Sequence, residues 1–397
     1  MVLVPAARSW WALGLAVMLL ALAVWIVVPP PTPLLLDLAV GAPEVSPWLL
    51  LLSLVPAGMA VVDARTRRSA RLALALAAST AVLASVPLVQ FAAAAHRADN
   101  AMTAALGEAF RHQPSQSIRV RPHPLIASEL FFGLRPAPVR IIRGISLSGG
   151  GSERLSLDLY RPEQAGIFPV VVQIYGGAWQ HGAPGNNALL ARELAGRGLV
   201  VFAIDYRHAP RWQWPAQLAD VRLALQWIRR HGPEYGADVS RLALLGRSSG
   251  AQLAMLAAYQ PEGPEVQAVV NYYGPVDLVE GYRHPPDPDP LNVRAIEEAF
   301  LGGSPDQVPE AYSSASPISH VNHRMPPTLS IYGMRDYVVE PRFGTLLHTR
   351  LRATGSISVL LQIPWAGHAF DAIPHGPSAQ LALYQTERFL AWALAQR

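Results

Sequence analysis

The sequence predicts two unlike parts: an all-α membrane domain of three helices over residues 1–96, and an α/β domain over 139–397 with a mostly parallel sheet covered by helices on both faces. Three uncharged apolar runs, at about 10–28, 45–62 and 72–95, predict the first part. From residue 139 onward, short β-branched runs alternate with helical stretches, and this predicts the second. Residues 97–138 read as a connector.

Each apolar run is near the roughly 20 residues that cross a hydrocarbon core. One Arg or Asp at a helix centre would cost about 3 kcal/mol, against a few tenths gained per Leu or Val. The lack of charge inside the runs is therefore the informative feature. Pro29, Pro30, Pro31 and Pro33 follow the first run, where a cleaved leader would carry small residues. Arg65, Arg67, Arg68 and Arg71 lie between the second and third runs, and Arg8 precedes the first; only Asp37 and Glu44 lie between the first and second. Basic loops stay cytoplasmic. The expected arrangement is thus a multi-pass protein of the cell membrane, with the amino terminus inside and everything after Ala95 extracytoplasmic.

Composition excludes several classes. Half of the chain (51%) is apolar, mean hydropathy is +0.21 and only 15% is charged, so the chain is neither disordered nor expected to be wholly soluble. The 32 basic residues are all Arg, against 28 acidic ones. No Arg cluster is interleaved with aromatics, and no nucleic-acid partner is expected. There is no Cys, so disulfides, thiolate catalysis and Cys-ligated zinc are excluded. No metal-ligand spacing is seen, and neither metal nor cofactor is expected.

In the connector, residues 101–110 suit a short amphipathic helix on the membrane or over the site, and 114–138 irregular chain. Residues 139–147 and 155–160 read as a strand pair split by Gly149-Gly150-Gly151. Further strands are expected at 170–175, 199–205, 241–245, 266–272, 328–332 and 358–363. Helices are expected at 189–197, 216–231, 251–259, 342–353 and 378–395. Residues 275–326 read as an irregular, Pro-rich insertion, with Tyr282, His284 and Pro285-Pro286-Asp287 forming part of a substrate pocket. Trp179, Trp212 and Trp214 are candidates for its entrance, with buried packing as the competing role for each.

Ligands in such sheets sit at the carboxyl ends of the strands. There, Gly246-Arg247-Ser248-Ser249-Gly250 stands between a strand and a helix. A G-x-S-x-G turn in that context exposes the serine hydroxyl above the sheet, making Ser248 the candidate nucleophile and the Ser249 amide a candidate oxyanion donor. Tyr175-Gly176-Gly177-Ala178-Trp179 follows another strand, and Gly176 and Gly177 let backbone amides approach a substrate carbonyl. An acid and then a histidine must follow. Asp336 follows strand 328–332, with Asp371 its competitor; His368, in Gly367-His368, follows strand 358–363, with His375 its rival.

With these landmarks and Asp205-Tyr-Arg-His-Ala-Pro210 in order, residues 139–397 resemble the α/β-hydrolases, being most similar to hormone-sensitive-lipase-like and feruloyl-esterase-like carboxylesterases. Membrane helices before such a domain also resemble prenylcysteine-methylesterase-like proteins and membrane-bound bacterial esterases. The resemblance implies a Ser248–Asp336–His368 triad, an oxyanion hole at Gly176, Gly177 and Ser249, and structural roles for Asp205 and Asp220. It implies a serine carboxylic-ester hydrolase acting through an acyl-enzyme on a small-molecule or lipid ester. Tyr175 stands where the family usually has His, and Ala178 where it has Gly or Tyr. Kynurenine-formamidase-like enzymes share the plan, so amide hydrolysis is an open alternative, as is a non-catalytic binding protein.

Overall fold

The computed structural model describes residues 5–108, 110, 118–135, 138–147, 155–260, 265–323 and 325–395. The Gly149–Gly151 turn and part of the 114–138 stretch lie outside the described residues.

Four helices open the chain: α1 (Pro5–Ala23), α2 (Pro33–Glu44), α3 (Ser46–Val61) and α4 (Arg68–Leu106). Two are long and apolar enough to cross a membrane, Ala7–Ile26 and Arg68–Leu106; α2 and α3, bent by 84° at their junction, make a third candidate if counted as one span. At one end of this bundle Arg8 pairs with Asp63 at 2.9 Å. Helix α4 does not stop near residue 95. It runs for 39 residues, about 58 Å at 1.5 Å per residue, nearly twice the roughly 30 Å of hydrocarbon core. Of residues 101–110, expected as a separate short helix, 101–106 are instead its last turns, ended at Gly107 (φ 85°).

The second part is one eight-stranded sheet: β1 (Val139–Ser146), β2 (Ser156–Pro162), β3 (Phe168–Ile174), β4 (Val200–Ile204), β5 (Ala237–Arg247), β6 (Ala268–Tyr272), β7 (Thr328–Gly333) and β8 (Ser358–Ile363), in the order 1-2-4-3-5-6-7-8. β2 is antiparallel to both β1 and β4, and the other pairings are parallel. β3, β4, β6 and β7 are buried almost throughout, as a sheet covered on both faces requires. Alternate side chains feed two cores: Val170, Val172, Phe202 and Leu244 on one face, Val171, Val201, Ala243 and Leu245 on the other. The second core also takes Phe91, Ala94, Ala98 and Met102 of α4. The long helix thus ends inside the sheet domain's packing rather than on a flexible tether.

The insertion differs from the sequence expectation: 275–326 is not irregular. It folds into α9 (Leu278–Arg283), α10 (Val293–Leu301) and α11 (Pro309–Ala315), after α5 (Ala127–Phe132), α6 (Ala188–Gly196), α7 (Ala216–His231) and α8 (Ser249–Tyr259). The reason is capping. Asp277 Oδ1 accepts from the Glu280 amide at 3.0 Å, the Asn292 side chain accepts from Ala295, and Pro309 occupies the first turn of α11. Helices α12 (Arg342–Ala353) and α13 (Pro377–Ala393) complete the domain.

Candidate active site

Strand register places the candidate residues before any side chain is considered. Ile174 at the end of β3 is paired with Gly246 of β5. The segments that follow, Tyr175-Gly176-Gly177 and Arg247-Ser248-Ser249, therefore emerge side by side. Gly333 at the end of β7 is paired with Ile363 of β8, so the loops carrying Asp336 and His368 are neighbours as well.

Ser248 sits at the turn between β5 and α8 with φ 50° and ψ −124°, a strained conformation for a residue with a side chain. The flanking glycines are what the turn requires. A Cβ on Gly246 would lie 2.3 Å from the Gly250 carbonyl oxygen, and one on Gly250 would lie 2.2 Å from that of Tyr175. Backbone cannot yield as a flexible side chain would. Ser248 Oγ lies 3.0 Å from His368 Nε2, and His368 Nδ1 lies 2.8 Å from Asp336 Oδ2. Asp336 Oδ1 accepts from the amides of Val338 and Val339, both at 2.8 Å. An ionised carboxylate on Nδ1 fixes the tautomer with Nε2 bare, ready to accept the serine proton. Asp336 is buried and His368 nearly so.

The candidate donors lie beside this chain. A Cβ on Gly176 would sit 3.0 Å from Ser248 Cβ and 2.7 Å from the Arg247 carbonyl oxygen. Gly177 has φ 148°, and a Cβ there would overlap the His181 carbonyl at 1.9 Å. Ser249 is the first residue of α8, where amides have no partner within the helix. All three residues line one cavity with Ser248 and His368, of about 660 Å³.

The two rivals are accounted for. Asp371 accepts from the Tyr273 hydroxyl and pairs with the buried Arg247 guanidinium; no bond joins it to His368 among the described residues. His375 instead offers its backbone carbonyl to Gln380 Nε2 at 2.9 Å. The Arg247–Asp371–Tyr273 cluster was not foreseen. Arg247 occupies the unconstrained position of the serine motif, and nothing local marks it for a partner far along the chain.

Tyr175, where the family usually has His, donates its hydroxyl to Asp205 Oδ1 at 2.6 Å and stacks on Tyr206 with ring centroids 4.5 Å apart. Burial pushes its phenol far above the ordinary range. Asp220 accepts from Arg207 through both backbone and guanidinium, at 2.8 Å. Both aspartates thus hold the loop after β4 under the glycines. Ala178 takes φ 54° without a glycine. Of the three tryptophans, only Trp179 lines the cavity; it stacks on Phe300 at 4.2 Å and donates to Gln252. Trp214 packs edge-on against Phe300, and Trp212 lies under Arg211. From the insertion, His284 and Pro286 reach the cavity wall, as do Leu291, Ile296 and Glu297, while Tyr282 donates to Glu298 instead.

Residues 157–351 match the BD-FAE family. The chain has the α/β-hydrolase fold, and this stretch is similar to the BD-FAE family. The chain is 37% identical over 249 residues to the protein named esterase LipC of Mycobacterium tuberculosis, covering 57% of this chain and 61% of LipC. It spans only about three fifths of that relative's length. To the protein named probable carboxylic ester hydrolase LipM of the same organism it is 29% identical over 340 residues, covering 78% of this chain and 76% of LipM. That span is longer than 139–397, so it includes part of the helical amino-terminal region. Among solved structures, a Pyrobaculum calidifontis esterase superposes with a TM-score of 0.57 at 23% identity, covering 66% of this chain and 87% of the other, which supports the fold.

Proposed function

We propose that this α/β-hydrolase is a membrane-anchored serine carboxylic-ester hydrolase whose nucleophile is Ser248. One observation carries the reading: the continuous hydrogen-bonded path from Asp336 through His368 to the strained Ser248, at 2.8 and 3.0 Å, opening on a cavity. Relatives named as esterases support the same class.

The steps follow from the geometry. His368 Nε2 takes the Ser248 proton as Oγ attacks the acyl carbon. The carbonyl oxygen becomes an oxyanion beside the amides of Gly176, Gly177 and Ser249; each such donor is worth about 10²–10³ in rate. Collapse breaks the ester C–O bond, and His368 returns the proton to the departing alkoxide. Water, deprotonated by the same imidazole, then releases the carboxylic acid from the acyl-enzyme. Asp336 keeps the imidazole oriented and stabilises its charged form.

The anchoring reading rests on the apolar helices and on Arg65, Arg67, Arg68 and Arg71, in the loop after α3 and the first turn of α4. The Arg8–Asp63 pair holds the amino terminus and that loop at the same end of the bundle. We place that end in the cytoplasm and the hydrolase domain on the opposite side.

The test is covalent labelling with a fluorophosphonate and turnover of a p-nitrophenyl ester. The wild type should label at Ser248 and hydrolyse the ester, and Ser248→Ala should lose about 10⁶-fold in kcat. A folded protein that takes no label, or a Ser248→Ala variant of undiminished rate, would overturn the assignment. Measuring a formanilide beside the ester on one preparation separates esterase from amidase activity.

A further inference from the structure

The cavity that Ser248 faces is not closed by the hydrolase domain alone. Leu36 and Asp37, both on α2, form part of its wall. They lie far outside the span 157–351 that matches the family, so this wall is an addition to the common domain.

Several contacts fasten α2 to the loops that carry the triad. The Ala39 carbonyl oxygen is 3.9 Å from where a Cβ on Gly367, next to His368, would stand. Ile373 Cδ1 is 3.8 Å from the corresponding point on Gly41. Glu44 Oε2 accepts from the Ser378 amide at 3.0 Å. Arg335, next to Asp336, donates to the Val27 carbonyl just before α2. Helix α2 is thus held against the site by its middle and its carboxyl end, and the segment before it is tied to Arg335.

The other face of α2 is apolar and open. Leu34 is 75% exposed and Leu38 37%, beside exposed Val27 and Val28. The chain gives this face its surroundings. Residues 27–45 join the end of one candidate span, at Ile26, to the start of α3, so they lie at the membrane surface on the side of the hydrolase domain. The cavity wall that α2 enters is itself largely apolar, with Leu291, Ile296, Val338, Val339 and Phe343 alongside Leu36.

We propose that α2 is the membrane-side wall of the active site, and that the substrate is a bilayer-resident acyl ester whose hydrocarbon chain passes along Leu36 to Ser248. This rests on the membrane-anchored esterase reading and specifies its substrate class. An apolar chain taken directly from lipid is never transferred through water, where each methylene opposes extraction. The exposed leucines seat α2 among the acyl chains, and Leu36 continues that apolar surface into the cavity.

The experiment uses the full-length protein in phosphatidylcholine vesicles, with two probes: water-soluble p-nitrophenyl acetate and vesicle-dissolved p-nitrophenyl palmitate. For Leu34→Glu/Leu38→Glu, the ratio of palmitate to acetate turnover should fall at least tenfold, and an unchanged ratio would overturn the proposal. A second variant, Leu36→Trp, narrows the wall and should shift the preferred acyl length to shorter esters across a p-nitrophenyl series from acetate to palmitate. An unaltered chain-length profile would equally overturn it. Failure of the underlying reading looks different: Ser248→Ala would keep acetate turnover, or an alkaline carbonate wash would strip the wild type from the vesicles.

Discussion

Asp336 and Asp371 show how similar residues acquire different work from their surroundings. Asp336 offers one oxygen to two amides and the other to His368. An Asn side chain at this position keeps the shape but presents an NH₂ to either the amides or the imidazole. Asp336→Asn should therefore lower kcat by about 10⁴ through the wrong imidazole tautomer, with KM for a p-nitrophenyl ester little changed. Asp371 instead compensates the buried Arg247. Asp371→Asn leaves that guanidinium without its counter-charge, and breaking a buried pair in this way costs about 3–5 kcal/mol. Thermal unfolding of detergent-solubilised protein should show the larger loss for Asp371→Asn, and steady-state kinetics the larger loss for Asp336→Asn. At this scale much was legible: Ser248 stands in a motif with few readings, and chain order with the preceding strand pointed to Asp336 and His368. The Arg247–Asp371–Tyr273 cluster was not, because a pairing across more than a hundred residues leaves no local pattern.

Elements were legible wherever periodicity and a stop coincided. Helices α7 and α12 follow the sequence expectation to the residue, the first ending at Gly232. The insertion helices were hidden because prolines were read as breakers, whereas Pro309 begins a helix rather than ending one. Asp277 with Glu280 three residues on was the available signal. Asp277→Ala should cost about 1 kcal/mol, seen as a lower unfolding midpoint. The far end of α4 was missed for another reason. The apolar run was read as ending at 95 with a connector from 97, yet Asp99 in that stretch accepts from Gln385 at 2.8 Å and pairs with Arg388 of α13. A helix can continue past its apolar run when a folded domain receives its polar residues. The loop after β3 depends on Tyr175 in the same way. Tyr175→Phe removes the buried donor to Asp205 and should cost about 1–3 kcal/mol. Turnover should fall with it, since Gly176 and Gly177 follow directly.

At the scale of the whole molecule, carboxyls bind the connector to the domain, and burial sets their response to pH. Glu387 on α13 accepts from the Arg121 amide at 2.6 Å and pairs with Arg197 at 3.1 Å. It thereby joins the connector, the end of α6 and the last helix. Desolvation outweighs the two arginines and pushes its carboxyl up to about 7. The native state therefore holds this proton more tightly than the unfolded chain, whose carboxyl titrates near 4.5. With fewer protons bound in the unfolded state, stability falls as pH rises from about 4.5 through 7 and is level above. The full span corresponds to about 3 kcal/mol at 1.36 kcal/mol per unit. Burial also raises Glu193 and Glu297, so both add slope of the same sign. Glu387→Gln should remove only its own share. Unfolding midpoints of the wild type and Glu387→Gln, measured from pH 5 to 8, should converge or reverse in order as pH rises, with the variant the flatter of the two. Parallel curves would show that Glu387 is already ionised throughout that range, held by Arg197 and Arg121 despite its burial.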